Sequence, residues 1–390
     1  IARHEAALRH DVMAAIHAWG EQAPSARPIV HLGATSCFVT DNGELIAMRE
    51  GLRILRRHLV STIAVLKDFA LQWRELPTLG FTHYQPAQAT TVGKRASLWI
   101  AELVECAHEL DHAEERLQFR GVKGTTGTQA SFLELFAGDH GRVRELDRRV
   151  TARFGFAKSA PVTGQTYSRL MDFRVCQVLS QIAQAAHKLA TDLRLLAHEK
   201  EVEEPFESNQ IGSSAMPWKR NPMRSERVCA LARFVIESLG NTAHTAANQW
   251  LERTLDDSAN RRIAIAEMFL ATDAILNLLL NVSSGLVVNP HVIAKNLGEE
   301  LPFLASEHLM MEAVKLGADR QDVHESIRQM SHAAARAIKD GKENPFRALL
   351  AKDPVLGKLS GKLDLLLDGR RYVGRAPEQV VEFVREEVEP

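Results

Sequence analysis

Two adjacent serines lie beside several cations in residues 210–227, and this combination could perform acid–base chemistry on an anionic ligand. Ser213 and Ser214 follow Gly212. Glycine and serine let the backbone turn sharply and present N–H groups, and prolines stiffen a loop. The cations of the segment are Lys219, Arg220, Arg224 and Arg227. The segment therefore predicts an anion-binding loop between two helices, and the alternative interpretation is a basic, solvated surface loop.

A single histidine, His83, lies among hydroxyl and amide side chains in residues 78–88, just before a predicted helix. Because imidazole exchanges a proton near neutral pH, His83 is a candidate general acid or base. A purely structural role in the loop is the alternative interpretation.

Two further loops carry polar groups. Residues 123–129 combine glycines and threonines that could form a nest of backbone N–H groups for a carboxylate or phosphate, and an ordinary turn is the alternative. They lack the glycine spacing followed by Lys-Ser or Lys-Thr of a Walker A motif, which excludes an ATPase. Residues 252–262 include Arg253 and two more arginines, and Ser258 is the predicted N-cap of the next helix. Part of this loop should serve capping and ion pairing.

Residues 108–112 match the HExxH zinc pattern, with His108 and His112 one helical turn apart. The apolar stripe of the same helix passes through Ala107 and Leu110, which places both histidines on the polar side. No third ligand follows at an obvious position. We therefore prefer a solvated helix face to a zinc site.

Long helical segments separated by short loops must position these groups. Apolar residues recur at helical spacing, and strand signals are weak. We predict helices at residues 41–76, 90–119, 165–203, 225–250 and 258–284. The first begins at a capping box around Asp41 and ends before Pro77, and the second has an apolar stripe that includes Leu98 and Leu117. Helices of this length predict an all-α fold with a central bundle of long helices.

Smaller helical domains are predicted on both sides of the bundle. We place an N-terminal helical domain at residues 1–36, the long-helix bundle at 37–289 and a C-terminal helical domain at 290–390. Because the chain opens at Ile1, without a methionine and inside a predicted helix, we expect the N-terminal domain to be truncated.

Composition excludes several classes of protein. The 390 residues are 45% hydrophobic and 25% charged, with a net charge of -1, which predicts a globular protein without the basic surplus of nucleic-acid-binding proteins. No run of about 18 apolar residues and no signal-peptide pattern occurs, so no membrane partner is predicted. The four cysteines form no CxxC pair, which predicts reduced thiols and a cytoplasmic location.

Residues 82–83, 124–129 and 212–222 together resemble the fumarase/aspartase superfamily, whose signature GSSxMPxKxNP matches residues 212–222. Within it, the chain is most similar to the adenylosuccinate lyase family. The segments that carry this resemblance are residues 8–13, 31–36, 80–88, 123–132, 163–167 and 252–262. The resemblance covers nearly the whole chain. Trp218 stands where many members carry another ring, such as histidine or tyrosine, and a segment that helps to bind substrate in the family is expected to be missing before Ile1.

The resemblance implies a lyase that reversibly eliminates fumarate from adenylosuccinate to give AMP. It implies the same reaction on succinyl-aminoimidazole-carboxamide ribotide (SAICAR), which gives AICAR, in purine biosynthesis. No metal and no organic cofactor are implied. The reaction removes a weakly acidic C–H proton beside a carboxylate and protonates the departing nitrogen, so a base and an acid must flank the substrate.

The resemblance also assigns the catalytic base. Ser213 is the expected base, acting as an alkoxide that Lys219 and loop amides stabilise, because an unperturbed hydroxyl is too weak. Ser214 is the alternative.

The same resemblance assigns the acid and the substrate-binding groups. His83 is the expected general acid, Glu226 is the carboxylate that tunes it, and His10 is a second histidine near the substrate. Arginines suit the two carboxylates and the phosphate of such a substrate. The implied binding residues are Arg9, His10, Asp11, Thr35, Ser36, Thr82, Gln165, Asn221, Arg227, Arg253, Ser258 and Arg262.

Helix length favours an oligomer. If successive helices run up and down, the loops with His83 and Ser213 share one end of the bundle, and those with Thr125 and Arg253 lie roughly 45 Å away, at about 1.5 Å per residue. One subunit could not gather all four, whereas antiparallel packing of copies could. The resemblance likewise implies a homotetramer with sites shared between three subunits.

Three alternatives remain open. Argininosuccinate lyase, fumarase and aspartase share the superfamily, although Lys219 to Pro222 and the run 252–262 favour a nucleotide substrate. A crystallin-like structural protein could use a retired lyase scaffold, although Ser213, Lys219 and His83 are intact. A zinc hydrolase would use the HExxH pattern.

Overall fold

The computed structural model describes residues 1–389, and α-helices dominate it. The helices are α1 (Ala2–Leu8), α2 (Asp11–Gln22), α3 (Ser36–Gln72), α4 (Val92–Glu115), α5 (Ala130–Leu135), α6 (His140–Arg153), α7 (Leu170–His198), α8 (Met223–Ala247), α9 (Asp257–Ser283), α10 (Pro290–Leu304), α11 (Ser306–Lys315), α12 (Arg320–Lys339), α13 (Phe346–Lys352), α14 (Leu363–Leu366) and α15 (Ala376–Phe383). The strands are β1 (Pro77–Thr82), β2 (Gln85–Thr91), β3 (Val202–Glu203) and β4 (Val287–Val288).

Five long helices, α3, α4, α7, α8 and α9, confirm the predicted all-α class. They contain 37, 24, 29, 25 and 27 residues. In α4 the buried side chains recur at helical spacing, as an amphipathic helix requires; they include Leu103, Cys106 and Leu110. The predicted stripe was wrong at one position, because Leu98 is 51% exposed.

The predicted start of the first long helix was wrong. It begins at Ser36, five residues before the expected capping box. Asp41 is buried inside α3, where its carboxylate accepts the backbone N–H of Tyr167 at 3.0 Å. Asn42 exchanges hydrogen bonds with the backbone of Gly121. These two side chains are therefore used for tertiary contacts and not for a helix cap.

A β-hairpin occupies the loop that carries His83. Strands β1 and β2 pair antiparallel, with an irregular register between Leu79 and Phe81. Gly80 lies at this irregularity, where an added Cβ would lie 2.6 Å from the carbonyl oxygen of Gln88. The hairpin takes residues up to Thr91, which is why α4 begins later than the predicted residue 90. The two residues of β3 pair with β4.

The remaining long helices begin and end within a few residues of the predicted limits, except α7. It begins at Leu170, five residues after the expected start, and ends at His198, before the expected residue 203. The residues just before α7 are not helical, and the side chains of Tyr167 and Arg169 in this segment are buried. After residue 289 the helices shorten, as predicted, and a separate apolar core runs from Ala305 to Leu366.

The chain forms two compact units. The first unit contains Ile1–Val60, Glu105–His187 and Arg227–Leu278; the second contains Ser61–Val104, Lys188–Glu226 and the chain from Leu279 onward. Each long helix contributes residues to both units, so this division does not test the domain limits at 36/37 and 289/290, which stay a prediction.

Helix α9 is apolar on most of its surface. Within residues 1–389 it alone has the length and composition that would allow a helix to cross a membrane, a test that core helices of water-soluble proteins also pass. Only 39% of its most apolar window is buried within the chain, and Ile263 and Leu270 are 67% and 65% exposed. These apolar side chains therefore stay largely exposed within residues 1–389.

Candidate active site

Residues 210–222, the serine loop, fold around the hydroxyl of Ser213. The backbone N–H groups of Met216 and Ala215 lie 3.2 and 3.4 Å from Ser213 Oγ and donate to it. Asn221 closes the loop, because its side-chain amide donates to the carbonyl of Gly212 at 2.9 Å. Gly212 has no room for a side chain, since an added Cβ would collide with the carbonyl oxygen of Lys219. Ser213 is half-buried, whereas Ser214 and Lys219 are exposed.

Glu204, which was not predicted from the sequence, binds the first turn of helix α8, which follows this loop. Its buried carboxylate accepts the backbone N–H of Arg224 at 3.0 Å and of Ser225 at 2.9 Å, and also the Ser225 hydroxyl. A carboxylate in this position satisfies free N–H groups at a helix N-terminus. Glu226 and Arg227 follow in the exposed first turn of α8.

His83 lies at the tip of the hairpin in a strained backbone conformation. His83 and Tyr84 have φ angles of 54° and 55°, between the paired residues Thr82 and Gln85. Two successive positive φ angles suit a tight hairpin turn but are uncommon for residues other than glycine. Strain of this kind accumulates at functional sites. The Tyr84 hydroxyl donates to a carboxylate oxygen of Glu199 at 3.2 Å and ties the tip down, while His83 is exposed.

The N-terminal residues form a small polar group in the first unit. His10 caps α2, and its Nδ1 accepts the backbone N–H of Met13 at 3.4 Å. This acceptor role leaves the proton of a neutral ring on Nε2. Arg262 lies 3.4 Å from the carboxylate of Asp11. The backbone N–H of Val12, together with Arg262 and His10, lowers the pKa of Asp11.

Arg9 and His31 belong to the same N-terminal part of the chain as this polar group. Arg9 ends α1 in the left-handed conformation, with φ 54°. His31 lies in the segment 31–36 and has no predicted role. Burial and the charge of His10 lower its pKa, so it stays neutral more readily than a free histidine. The predicted residues Arg9, His10, Asp11 and Arg262 thus belong to the first unit, together with His31.

Three other predicted binding residues converge around the start of α7. The backbone N–H of Gln165 donates to the carbonyl of Glu252 at 2.9 Å, and its side-chain oxygen accepts from Cys37 Sγ at 3.5 Å. Cys37 follows Thr35 and Ser36 at the start of α3. The structure therefore brings Gln165 and the first turn of α3 together, and their role in binding substrate stays a prediction.

Arg253 and Ser258 lie at the start of α9. Arg253 forms an ion pair with Asp257 at 2.8 Å. The predicted N-cap was wrong, because α9 begins at Asp257 and Ser258 lies inside its first turn. Asp257 is buried and Ser258 is half-buried.

A buried ionic network that the sequence did not reveal lies beneath these binding residues. Arg169 pairs with Asp41 at 3.1 Å and with Asp257 at 2.8 Å, and all three side chains are almost fully buried. Arg261 pairs with Asp172 at 2.7 Å. The network consists of Asp41, Tyr167, Arg169, Asp172, Asp257 and Arg261. Each charged member pairs with a residue of opposite charge, so no buried charge of the network is left uncompensated.

Buried Arg120, another residue without a sequence prediction, connects two loops. Its guanidinium donates to the carbonyls of Gln165 at 2.7 Å and Gly124 at 2.8 Å. Gly127 packs so closely against Thr163 that a side chain would collide with the Thr163 carbonyl oxygen. Residues 124, 127 and 129 have positive φ angles, as nests often do, although no ligand contact tests the predicted anion nest.

The histidines of the HExxH pattern are exposed, as predicted for a solvated helix face. His108 and His112 lie on the polar side of α4. Within residues 1–389, no three His, Cys, Asp or Glu side chains are grouped in a way that could hold a metal ion. The four cysteines are all buried and free, in agreement with the predicted thiols.

The predicted site residues fall into two sets. The second unit holds Thr82, His83, Ser213, Lys219, Asn221 and Glu226, and the first unit holds Arg9, His10, Asp11, Thr35, Ser36, Gln165, Arg227, Arg253, Ser258 and Arg262. The candidates for chemistry other than His10 therefore belong to one unit of the chain, and most of the candidates for substrate binding belong to the other.

Two family models and several known proteins match this chain in sequence. A family model described as "Lyase" matches residues 4–255, and one described as "Adenylosuccinate lyase C-terminus" matches residues 302–383. The adenylosuccinate lyase of Schizosaccharomyces pombe is 53% identical over 388 residues, which are 99% of this chain and 80% of that protein. The chain belongs to the adenylosuccinate lyase family.

Other relatives agree with membership in the adenylosuccinate lyase family. The adenylosuccinate lyase of Saccharomyces cerevisiae is 54% identical over 98% of this chain and 80% of that protein, and the one of Pyrococcus abyssi is 32% identical over 98% and 83%. Among solved structures, a 3-carboxy-cis,cis-muconate lactonizing enzyme from Pseudomonas putida has a TM-score of 0.84 at 22% identity, covering 99% of this chain and 84% of that one. This likeness supports the all-α fold. Family membership shows that the chain is a lyase.

Proposed function

We propose that this chain is an adenylosuccinate lyase, which eliminates fumarate from adenylosuccinate to give AMP and from SAICAR to give AICAR. Family membership over nearly the full length supports the reaction. The observation that carries the proposal is the serine loop, in which two backbone N–H groups already point at Ser213 Oγ. An alkoxide needs such donors, because preorganised N–H groups stabilise an oxyanion without reorganisation during the reaction.

In this mechanism Ser213 Oγ removes the proton from the succinyl carbon beside a carboxylate. The electron pair of the broken C–H bond forms the C=C bond of fumarate, and the C–N bond breaks. Lys219 is exposed on the same loop and supplies positive charge for the alkoxide and for the negative intermediate. Ser214, exposed and without a contact from either loop amide, is the weaker candidate base.

His83 donates a proton to the departing nitrogen as general acid. Its exposed position at a hairpin tip suits a group that approaches a bound substrate. Glu226 is the carboxylate that tunes the imidazole, and His10 offers a second imidazole with its Nε2 directed away from the helix cap.

Several residues hold the substrate through its two carboxylates and its phosphate. Arginine suits these groups because its planar donors bind carboxylate and phosphate in pairs. Hydroxyl and amide groups complete the binding set. The proposed binding residues are Arg9, His10, Asp11, Thr35, Ser36, Thr82, Gln165, Asn221, Arg227, Arg253, Ser258 and Arg262.

We further propose a homotetramer in which each site combines residues from several subunits. The division of the site residues between two units of the chain supports this arrangement. The exposed apolar face of α9 supplies a surface for a second copy, because a helix that is apolar on most sides is normally buried. Sedimentation of diluted enzyme with a parallel assay tests this proposal, and an active monomer would reject it.

The proposed enzyme also has an expected cofactor requirement, compartment and set of partners. The enzyme needs no metal or organic cofactor, so a chelator should leave turnover unchanged, and a loss of activity would favour the zinc alternative. It acts in the cytoplasm without nucleic acid or a membrane. A net charge of -1 and buried free thiols support these proposals.

The direct experiment mixes purified protein with adenylosuccinate and follows fumarate by its ultraviolet absorbance. Ser213→Ala should lower kcat at least a hundredfold, because it removes the base. Ser214→Ala is the matched control, with the same change one residue away. Equal rates for wild type and Ser213→Ala would overturn the assigned base. Faster turnover of argininosuccinate than of adenylosuccinate would favour a related lyase, and no turnover of any substrate would favour a structural protein.

A further inference from the structure

Helix α6 borders a groove for which the proposed reaction has no use. The groove has a volume of about 560 Å³ and lies within the first unit, between α6 and residues 157–161. A volume of this size fits a small molecule. Four cations line it, namely Lys123, Arg144, Arg148 and Lys158, together with His140, against the single carboxylate of Asp147.

The surrounding segment is unusually basic for this chain. Residues 139–158 contain six lysines and arginines and three carboxylates, an excess of three positive charges, whereas the whole chain has a net charge of -1. Arg148 shares the carboxylate of Glu145 with Arg149. Local positive potential of this kind attracts anions even when the protein as a whole is nearly neutral.

Two buried polar groups show that the groove is more than a basic surface. The side chain of Lys123 is only 8% exposed, and its Nζ lies 2.8 Å from Asp147. Thr151 is 3% exposed and lines the groove, yet its hydroxyl has no hydrogen-bond partner in residues 1–389. A buried hydroxyl without a partner is uncommon, and a ligand oxygen would satisfy it.

We propose that this groove binds a small ligand that carries several phosphate charges. Arg144 and Lys158 would contact the phosphates, since arginine and lysine are the usual donors to such oxygens, and the Thr151 hydroxyl would donate to a third oxygen. The volume favours a compact polyphosphate or a nucleoside triphosphate over an extended nucleic acid, which would need a longer basic surface.

The groove is connected to the proposed active site through Asp147. This carboxylate accepts the backbone N–H of Val122 at 2.6 Å, the Ser159 hydroxyl at 2.6 Å and the ammonium of Lys123. Lys123 opens the loop 123–129, which Arg120 ties to Gln165. A polyanion that competes for Lys123 would loosen this loop and raise the KM for substrate. This effect on turnover rests on the proposed function, whereas binding to the groove does not.

The test measures binding of inorganic tripolyphosphate to the full chain by isothermal titration calorimetry at constant ionic strength. The double variant Arg144→Glu and Lys158→Glu should weaken binding at least tenfold. The matched control is Arg149→Glu with Arg153→Glu, which makes the same charge change on α6 outside the groove and should change binding less than threefold. Equal weakening by both variants, or no binding by wild type at millimolar ligand, would overturn the proposal.

Further measurements test the position of the ligand, the folding of the variant and the class of the ligand. Thr151→Val removes the buried hydroxyl at nearly constant volume and should weaken binding by about threefold to tenfold; unchanged affinity would contradict the placement of the ligand. Circular dichroism and turnover without polyphosphate should match wild type in the groove variant, since neither changed residue has a role in the reaction. ATP is the second probe, and tighter binding of ATP than of tripolyphosphate would identify a nucleotide as the ligand class.

Discussion

The two sets of site residues differ in how the fold supports them. In the first unit, Gln165 and Arg253 lie above a buried network in which Arg169 joins two aspartates. In the second unit, Ser213 lies on a loop that hydrogen bonds between side chains and backbone close, and His83 lies at the tip of a paired hairpin. Arg253 thus pairs with a buried carboxylate, whereas His83 is exposed and Ser213 is half-buried.

This difference matches the work that each set is proposed to do. Binding groups for a polyanion must keep their charges in fixed positions, and a buried ionic network costs a large free energy to distort. Acid and base groups must close on the substrate and release products, which exposed loops allow. Substitutions in the buried network of the first unit should therefore affect stability, and substitutions of Ser213 and His83 in the second unit should affect turnover.

The largest expected effect is on turnover, at the hairpin tip. His83→Asn should lower kcat by about a hundredfold to ten-thousandfold, because it removes the proposed acid while asparagine tolerates the positive φ angle. The melting temperature should stay within about 1 °C of wild type, since the side chain is exposed. His108→Asn, an exposed histidine on α4, is the control in the fumarate assay. A large loss of stability in His83→Asn would break the comparison.

The next largest effect is on stability, in the buried network. Arg169→Met removes the guanidinium that the buried carboxylates of Asp41 and Asp257 share, and leaves only Arg253 paired with Asp257. This change should lower the free energy of unfolding by about 3–5 kcal/mol. Arg148→Met, which removes an exposed pair with Glu145, should change it by less than about 1 kcal/mol. Chemical denaturation of both variants measures the difference, and equal effects would show that burial does not matter here.

A smaller effect on stability, at Asp257, should depend on pH. Burial by itself raises the pKa of Asp257, but Arg169 and Arg253 outweigh it and lower the pKa below the ordinary value of 3.8. The charged form is thus favoured by folding, so its stabilisation is present above pH 3.8 and is lost as the pH falls through the lower folded pKa.

Asp257→Asn should therefore lower the free energy of unfolding at pH 7 by about 1–3 kcal/mol. The difference from wild type should shrink as the pH falls below 3.8. Urea unfolding at a series of pH values measures it. A difference that grows toward acid pH would mean that the carboxylate is not stabilised in its charged form.

The smallest expected effect is on kcat, at Tyr84, and it tests the role of His83 as the general acid. Tyr84→Phe removes one hydrogen bond to Glu199, worth about 0.5–1.5 kcal/mol, and loosens the hairpin tip. We expect kcat to fall by about twofold to tenfold with an unchanged KM, because Tyr84 positions the acid and does not bind substrate. Gln88→Ala, on the neighbouring strand, should leave kcat unchanged. An increase in KM alone would assign Tyr84 to substrate binding.

Much of the fold could be predicted because local rules decide it. The apolar spacing in residues 92–115 specifies an amphipathic helix in any context, and the glycines and prolines near the helix ends mark the loops. The serine loop was predictable for the same reason, since Gly212, Ser213 and the following cations are adjacent in the chain.

The errors have a common physical cause. Asp41 satisfied the local pattern of a helix cap, but a distant arginine and a distant backbone N–H compete for its carboxylate, and the helix therefore begins at Ser36. The hairpin around His83 lacks the usual Asn-Gly turn, so nothing local predicted two positive φ angles in succession.

The amino-acid sequence by itself determined the helical class, the loop that carries Ser213 and the family likeness, because these depend on residues that are neighbours along the chain. Only the tertiary structure decided which charges are buried together and which residues share a unit. Arg169 and Asp257 are separated by 88 positions, and their pairing depends on the packing of long helices that no local pattern encodes.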